Sequence, residues 1–423
     1  MAEGLRAMSS FDTEVPVLLL RLDPGPFPRE TLGVVSSLGR AGIEVHAVAA
    51  SARGPVGRSR YLHRMYARPP GPMAHAPLLD LLRDLSEGIG RPAVLLPVDD
   101  RGALAAARLA GRLLGRYLLP AQPAGLSERL ADRAQLALLC RKLGLPHPAT
   151  VVPAGARQGA DAAAELGLPM VAKWSRPWLL PPSAGLPGTT LVHTPDDARR
   201  LYEQTERAGS ALLLQRLLPG GRGADWFFHG CFTGDGGCLI GGPGRAGRGR
   251  PWAGPAAAGR RLPNPQVERA ALRLAGHLGY RGLLDLDFHR DAHGRYHLLG
   301  VSARPGAHFR LFTDPSSGLD AVRALHLDLT GRTVPRGPVR RGPGAPPGPD
   351  RPYGAARPRR ARAAVPPGHV PPAHRPTGRR PAPGPAAARP LLRGAARHAA
   401  RRAPRTHARG PATALRGTAA DDL

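Results

Sequence analysis

The chain has 423 residues, three cysteines and a formal net charge of +29. Its length allows two or three domains with a large buried core, and Cys140, Cys231 and Cys238, which lack metal or redox spacing, fit a reducing cytosol. Neither a signal peptide nor a membrane span is expected, because "MAEGLRAMSSFDTE" has no apolar core and "VPVLLL" (15–20) is too short to cross a bilayer. Residues 1–13 are expected to be disordered.

From residue 14 to 120, strand and helix signals alternate. "VPVLLLRL" is an apolar run, and "RETLGVVSSLGRAG" has helical spacing with a stop at Gly42. Then follow "IEVHAVAA", the helix-like "MAHAPLLDLLRDLSEGIG", "PAVLLPVDD" and the Ala/Leu-rich "RGALAAARLAGRLLGRYL". This βαβα order predicts an N-terminal α/β domain on a parallel sheet. Across 121–148, "SERLADRAQLALLCRKLGLPHP" reads as one strong linker helix, capped by Ser127 and ended by Gly144 and Pro146.

Residues 149–215 read as a small mixed unit: the strand "LPMVAKWS", the Gly/Pro-rich loop "WLLPPSAGLPGTTLVH", the capped helix "TPDDARRLYEQTERAG" and the strand "ALLLQRLLPGG". Residues 216–335 hold "WFFHGCF", a Gly/Arg loop "GGPGRAGRGRPWAG", the helix "NPQVERAALRLAGHLG", a hairpin and a last helix "GLDAVRALHLDLTG". Beyond 335 the periodicity fails. Residues 336–423 hold 19 arginines, 18 prolines, no lysine and three acids. Such a segment cannot bury a core and is expected to be disordered. Arg, Pro, Ala and Gly all have GC-rich codons, so a frameshift in GC-rich DNA produces this composition. Any nucleic-acid binding is expected to be nonspecific and through this basic tail.

The hairpin "LDLDFHRDAHGRYHLLGVSARPGAHFRLF" (284–312) has a chemical face. Its first arm puts Asp285, Asp287 and His289 on one side, because strand side chains alternate. "DAHG" (291–294) is turn chemistry, and the returning arm ends in Arg304. Two carboxylates facing an arginine suit a metal and a phosphate, yet Gly300 and Ser302 stand where a metal site wants an acid and an amide. "HRD" (289–291) resembles a kinase loop but has Tyr296 where that loop needs Asn, so it reads as a turn. The two lysines, Lys142 and Lys173, exclude a GxxxxGK[ST] phosphate loop. Lys173 lies on the apolar strand "GLPMVAKW", where a lone lysine snorkels to solvent or meets a ligand phosphate. Asp99 and Asp100 end the strand "AVLLPVDD", lining a substrate side or capping the next helix.

The order of a "GxPxVxK" strand, a Gly-rich loop, a capped helix, "LLLQRLLPG", "DLDF" and an "xVxxR" strand resembles the ATP-grasp superfamily, in particular bacterial carboxylate–amine ligase-like proteins, over residues 14–335. The resemblance implies an ATP-grasp fold: an N-terminal parallel α/β domain (14–120), a mobile lid subdomain (149–215) and a central antiparallel-sheet catalytic subdomain (216–335), with ATP between two sheets. It implies Lys173 on the α/β-phosphates and Arg133 in place of the earlier nucleotide-site lysine. Gln215 and the Leu217–Leu218 backbone would hold adenine, Asp225 the ribose, and the loop 183–190 would close over the phosphates. Of the basic residues Arg245, Arg248 and Arg250, which read as loop residues after "CLIGG", Arg248 is matched to the phosphoryl-holding position. The metal site falls at Asp287, with Asp285 and Ser302, and Arg304 keeps its phosphate role. Gly300 and Ser302 depart from the acid-x-Asn-x-Arg pattern. Mg²⁺ or Mn²⁺ binding would survive on few protein carboxylates, with weaker chemistry.

The expected function is therefore a cytoplasmic ATP-dependent ligase, acting on a small carboxylate and an amine through an acyl phosphate, with a homodimer as the candidate assembly. The alternatives are a catalytically weakened nucleotide-binding homologue and, from charge alone, a basic nucleic-acid-binding protein. The second lacks a visible stacking module at 4% aromatic residues.

Overall fold

A strand made wholly of apolar residues needs cover on both faces, and β1 (Val17–Leu20) has all four residues buried. The computed structural model describes residues 11–335 apart from 24–26, 28, 52, 70, 222, 248–258 and 316. The 336–423 tail and residues 1–10 lie outside the described residues. After β1 come α1 (Arg29–Arg40), β2 (Val45–Ala49), β3 (Arg64–Ala67), α2 (His75–Ile89), β4 (Ala93–Pro97), α3 (Asp100–Leu109) and β5 (Tyr117–Leu118). The strands pair in parallel in the order β3-β2-β1-β4-β5. Alternation then divides β1 between two cores. Leu18 and Leu20 pack with Leu78, Leu82, Ala105 and Leu109 of α2 and α3. Val17 and Leu19 pack with Val34 and Leu38 of α1, and with Val322 and Leu325 from far along the chain.

The single helix expected over 127–148 is two helices. α4 (Leu126–Ala131) follows Gly125, so Ser127 lies inside it and is not the cap; α5 (Arg133–Leu143) starts afresh. The break is Asp132, whose backbone is extended (φ −73°, ψ 111°) and whose carboxylate accepts the N–H groups of Ala134 and Gln135. An acid that caps a new helix inside an amphipathic run stops the first helix. Gly144 ends α5 in the left-handed conformation at φ 59°, as the sequence predicts.

The next unit runs β6 (Thr150–Val151), α6 (Ala156–Leu166), β7 (Met170–Trp174), β8 (Thr189–Val192), α7 (Pro195–Tyr202), α8 (Thr205–Ala208) and β9 (Leu212–Arg216). Its antiparallel sheet has the order β6-β9-β7-β8. Thr194 and Asp197 form a capping box for α7, which stops at Tyr202, so the helix expected over 194–209 is also two. Met170, Ala172, Trp174, Leu212 and Leu214 share a core with α6 and α7 residues. Val171, Lys173, Leu213 and Gln215 therefore occupy the other face.

The last unit comprises β10 (Asp225–Thr233), β11 (Cys238–Ala246), β12 (Gly259–Arg261), α9 (Pro265–Leu278), β13 (Arg281–Arg290), β14 (Tyr296–Ser302) and α10 (Ala321–Leu329). Its antiparallel sheet is ordered β12-β11-β10-β13-β14. The stretch read as a loop after "CLIGG" is instead strand as far as Ala246, and Arg245 lies on β11. Glycine is needed there by close approach: a Cβ on Gly244 would strike the Phe227 ring, and one on Gly241 the His229 carbonyl. Leu284, Leu286 and Phe288 pack under α4, α5 and α9, which leaves Asp285 and Asp287 on the opposite face. The 121–148 segment is thus a cover for this larger antiparallel sheet rather than a free linker.

α10 joins the 216–335 unit to the first domain. It packs on β10, β11 and β13 and also against α1. Arg323 donates to the Ser37 carbonyl at 2.7 Å, and His326 Nε2 lies 2.9 Å from the Val15 carbonyl. The expected disorder of 1–13 is corrected at its end: Phe11 packs on the α1–α10 core and Asp12 accepts from Arg332 at 3.0 Å.

Asp132 also accepts the Ser175 hydroxyl and Arg176 Nε. Replacing it removes a cap and strands buried donors, so Asp132→Ala should lower stability by about 2–3 kcal/mol. Asp132→Asn, which keeps an acceptor, should cost less. Urea midpoints measure both, and an unchanged Asp132→Ala midpoint would place the α4–α5 break under other control.

Candidate functional site

Three units deliver charged side chains to one cleft. From the small sheet comes Lys173, on β7 between Thr189 and Leu213. It is half-buried, and its ammonium is pushed down to about 8, first by burial and then by the Arg133 charge, against the pull of Asp287. Arg133 is the first residue of α5. Its backbone N–H donates to the Ser175 carbonyl at 3.0 Å, and its Nη1 donates to the carbonyls of Trp174 at 3.3 Å and Gly188 at 3.0 Å. The residue matched to a phosphate-binding lysine therefore ties the Gly-rich loop to the end of β7 through one nitrogen, Nη1.

From β13 come Asp285 and Asp287. Asp287 pairs across the hairpin with Gly300, and Asp285 with Ser302, with a bulge on β14 between Leu298 and Gly300. This is the facing arrangement the sequence implied. The two carboxylates differ in setting. Asp285 Oδ1 lies 3.3 Å from His229 Nδ1, and its other oxygen abuts Gly306, where a Cβ would collide. Asp287 sits on the cleft floor, walled by protein yet open to solvent. Crowding pushes it up to about 7: desolvation is the largest cause, then the Asp285 charge, opposed by Arg304 and Lys173.

From β4 and α3 come the two aspartates of "VDD", and they have separated roles. Asp99 caps α3 through Gly102 N–H at 2.6 Å and accepts the N–H groups of Leu22 and Asp23, at 2.7 and 3.0 Å. Asp100 faces the cleft and accepts Arg304 Nε at 2.7 Å, with its charge also acting on Arg133 and Asp287. Lys173, Arg133, Asp287, Arg304 and Asp100 are thus one electrostatic group, and the N-terminal domain contributes to it directly.

The other expected positions are less concentrated. Gln215 is buried and donates to Thr150 Oγ1 at 3.0 Å on the face it shares with Lys173. Leu217 and Leu218 follow β9, half-buried. Asp225 opens β10 and takes His289 Nδ1 at 2.7 Å, which locks it to β13. Arg248 and Arg250 lie outside the described residues, and Arg245 lies on β11 across from Trp226. One site neighbour carried no motif. His147, between α5 and β6, lies near Lys173, and burial holds its imidazole down at about 4.

A divalent cation fits this floor in part. Two carboxylates crowd one another, and a Cβ built on Gly300 meets only Asp287 Oδ2, at 3.9 Å, so room stands beside that oxygen. Asp287 is the open ligand, and Asp285 keeps His229 beside its Oδ1.

The sequence matches no protein-family model and no curated protein. Solved structures do resemble the fold. N5-carboxyaminoimidazole ribonucleotide synthetase from Thermus thermophilus is 18% identical with a TM-score of 0.55, covering 76% of this chain and 80% of that one. The biotin carboxylase domain of Hydrogenobacter thermophilus 2-oxoglutarate carboxylase is 16% identical with a TM-score of 0.56, covering 77% and 70%. L-amino acid ligase from Bacillus licheniformis is 14% identical with a TM-score of 0.55, covering 75% of each chain. At these identities the likeness is one of fold.

The carboxyl of Asp287 should titrate near 7 in a carbon-detected NMR experiment. Arg304→Ala should move it up and Asp285→Asn down. Because the folded state holds that proton more tightly than the unfolded chain, this group makes stability fall as pH rises from about 4 to about 7. Titration in the ordinary aspartate range would contradict the crowding.

Proposed function

Given that the chain has the ATP-grasp fold, we propose that it is an ATP-dependent ligase joining a small carboxylate to an amine. The observation that carries this reading is the electrostatic group of Lys173, Arg133, Asp287, Arg304 and Asp100, drawn from three units around one cleft. The similar proteins support it: the Hydrogenobacter domain is recorded with MgADP and bicarbonate, and the Bacillus protein is an L-amino acid ligase.

In this reading the triphosphate lies between β7 and the β13–β14 hairpin. Lys173 meets phosphate oxygens, and Arg133 holds the 183–190 loop so that its N–H groups face them. Adenine runs along Gln215 to Leu218, with ribose toward Asp225. Arg304 exchanges Asp100 for a phosphoryl oxygen as substrate arrives, and Arg248 is assigned the same charge-neutralising part. Asp287, with Asp285 and the Ser302 hydroxyl, would hold Mg²⁺, which offsets charge on the transferring phosphoryl group. A carboxylate oxygen attacks the γ-phosphorus and ADP leaves. The amine then attacks the acyl carbon, phosphate leaves, and the amide remains. The protein's work is positioning and charge neutralisation.

An ADP-release screen over small acids and amines tests the reaction. Release that needs both partners supports the ligase, whereas ATP binding without release for any pair makes the chain a nucleotide-binding homologue. Lys173→Ala should weaken ATP binding by about 1.5–3 kcal/mol, the worth of a charged hydrogen bond, and unchanged affinity by calorimetry would remove Lys173 from the site. Gly300→Glu combined with Ser302→Asn should raise Mg²⁺-dependent ATP turnover, since the first side chain grows beside Asp287 Oδ2. Asp287→Asn should abolish turnover, and full metal-dependent activity in that variant would move the metal site off the hairpin.

A further inference from the structure

At the far end of the N-terminal sheet, away from the cleft, three ligand-type side chains converge. Glu44 precedes β2, His46 is the second residue of β2, and His63 precedes β3. Parallel pairing brings them together: His46 stands opposite Arg64, and the His63 N–H donates to the Val45 carbonyl at 2.7 Å. His46 Nε2 lies 2.6 Å from Glu44 Oε1, and His63 Nε2 lies 3.7 Å from the same oxygen. Among the described residues, this is the group of three His, Cys or acidic side chains whose ligand atoms all lie within 4.8 Å of one another.

We propose that Glu44, His46 and His63 bind one transition-metal dication of the zinc class, as a structural staple between β2 and the edge strand β3.

The donor set selects the metal. Two imidazoles and one carboxylate suit zinc and its neighbours, whereas Mg²⁺ and Ca²⁺ take oxygen ligands. Burial lowers the His46 imidazole below its usual range. Burial alone would raise Glu44, but its hydrogen bond with His46 and the nearby positive charge lower it.

The surroundings orient the ligands. The His46 side chain is 3% exposed, and its Nδ1 lies 3.4 Å from the Tyr66 hydroxyl. A hydroxyl donates or accepts, so His46 keeps that partner in the tautomer that carries its proton on Nδ1 and leaves Nε2 bare for a metal. The His63 side chain is 57% exposed, which provides entry and freedom to close on the ion. Metal–ligand bonds of about 2.0–2.2 Å leave tetrahedral donors about 3.4 Å apart, so His63 needs only a small swing. Arg91 takes the other carboxylate oxygen, Oε2, at 3.0 Å and reaches Glu14 at 3.2 Å. It leaves Oε1 to the metal, and its charge limits the affinity. Small-molecule ligands of open parallel sheets sit at the carboxyl ends of the strands. This group sits at the amino ends, so the ion would act on stability and not on the ligase chemistry.

The test uses the full chain, stripped with chelator and titrated with CoCl₂ while the visible absorption of tetrahedral Co²⁺ is followed, then displaced with ZnCl₂. One equivalent should bind, and ZnCl₂ should raise the melting temperature by mass action. His63→Ala, a surface change, should weaken Co²⁺ binding by about tenfold or more and remove the zinc-dependent rise. Glu44→Gln should weaken it as well. Absence of the Co²⁺ band and of the thermal shift in the unmutated chain would overturn the proposal. So would undiminished binding in His63→Ala, which would assign the metal to other histidines.

Discussion

One carboxylate sets where the walls of the cleft meet. Asp132 accepts four donors: the Ala134 and Gln135 amides that open α5, the Ser175 hydroxyl and Arg176 Nε just beyond β7. Burial alone would raise its pKa, but these bonds outweigh that and hold it below the usual range. The start of α5 and the end of β7 are therefore fixed to the same two oxygens. Arg133 and Lys173 sit immediately beside those anchors, and their mutual repulsion is built in by that geometry. A charge-assisted clamp of this kind holds cations in place that would otherwise drift apart.

The cleft that results is stressed in both signs. Lys173 is pushed down and Asp287 pushed up, each by burial first and by a like charge second. Arg304 meanwhile rests on Asp100 of the N-terminal domain. An anion beside Lys173 and a cation beside Asp287 would each relieve one of these stresses. Charges held apart from their natural counter-ions in this way are preorganised for a ligand of mixed charge.

Much of this was legible because strand alternation is strict. The parallel sheet of the first domain followed from "VPVLLLRL", "IEVHAVAA" and "PAVLLPVDD", and the shared face of Asp285 and Asp287 followed from the hairpin. What escaped the sequence had no periodic signal. Asp132 is one acid inside an unbroken amphipathic run, and its capping role depends on Ser175 and Arg176, more than forty residues away. The glycines of β11 read as a loop because their reason is the approach of Phe227 and His229, which composition does not encode. Asp100 offered two readings until Arg304 was brought to it from two hundred residues downstream. Arg133 carries the charge that the sequence indicates, and its Nη1 also meets two carbonyls that no local pattern announces.

α10 carries a consequence for how the molecule is made. It is the last described helix, and it completes the core that Val17 and Leu19 of β1 begin. After β5 completes the first sheet, about two hundred residues are added before α10 is made and can join that core. The core shared by β1 and α10 can be complete only when both ends of the described chain are present. During that interval the nascent N-terminal domain exposes surface of the kind chaperones recognise. A domain sealed by its most distant helix makes vectorial folding wait for everything in between.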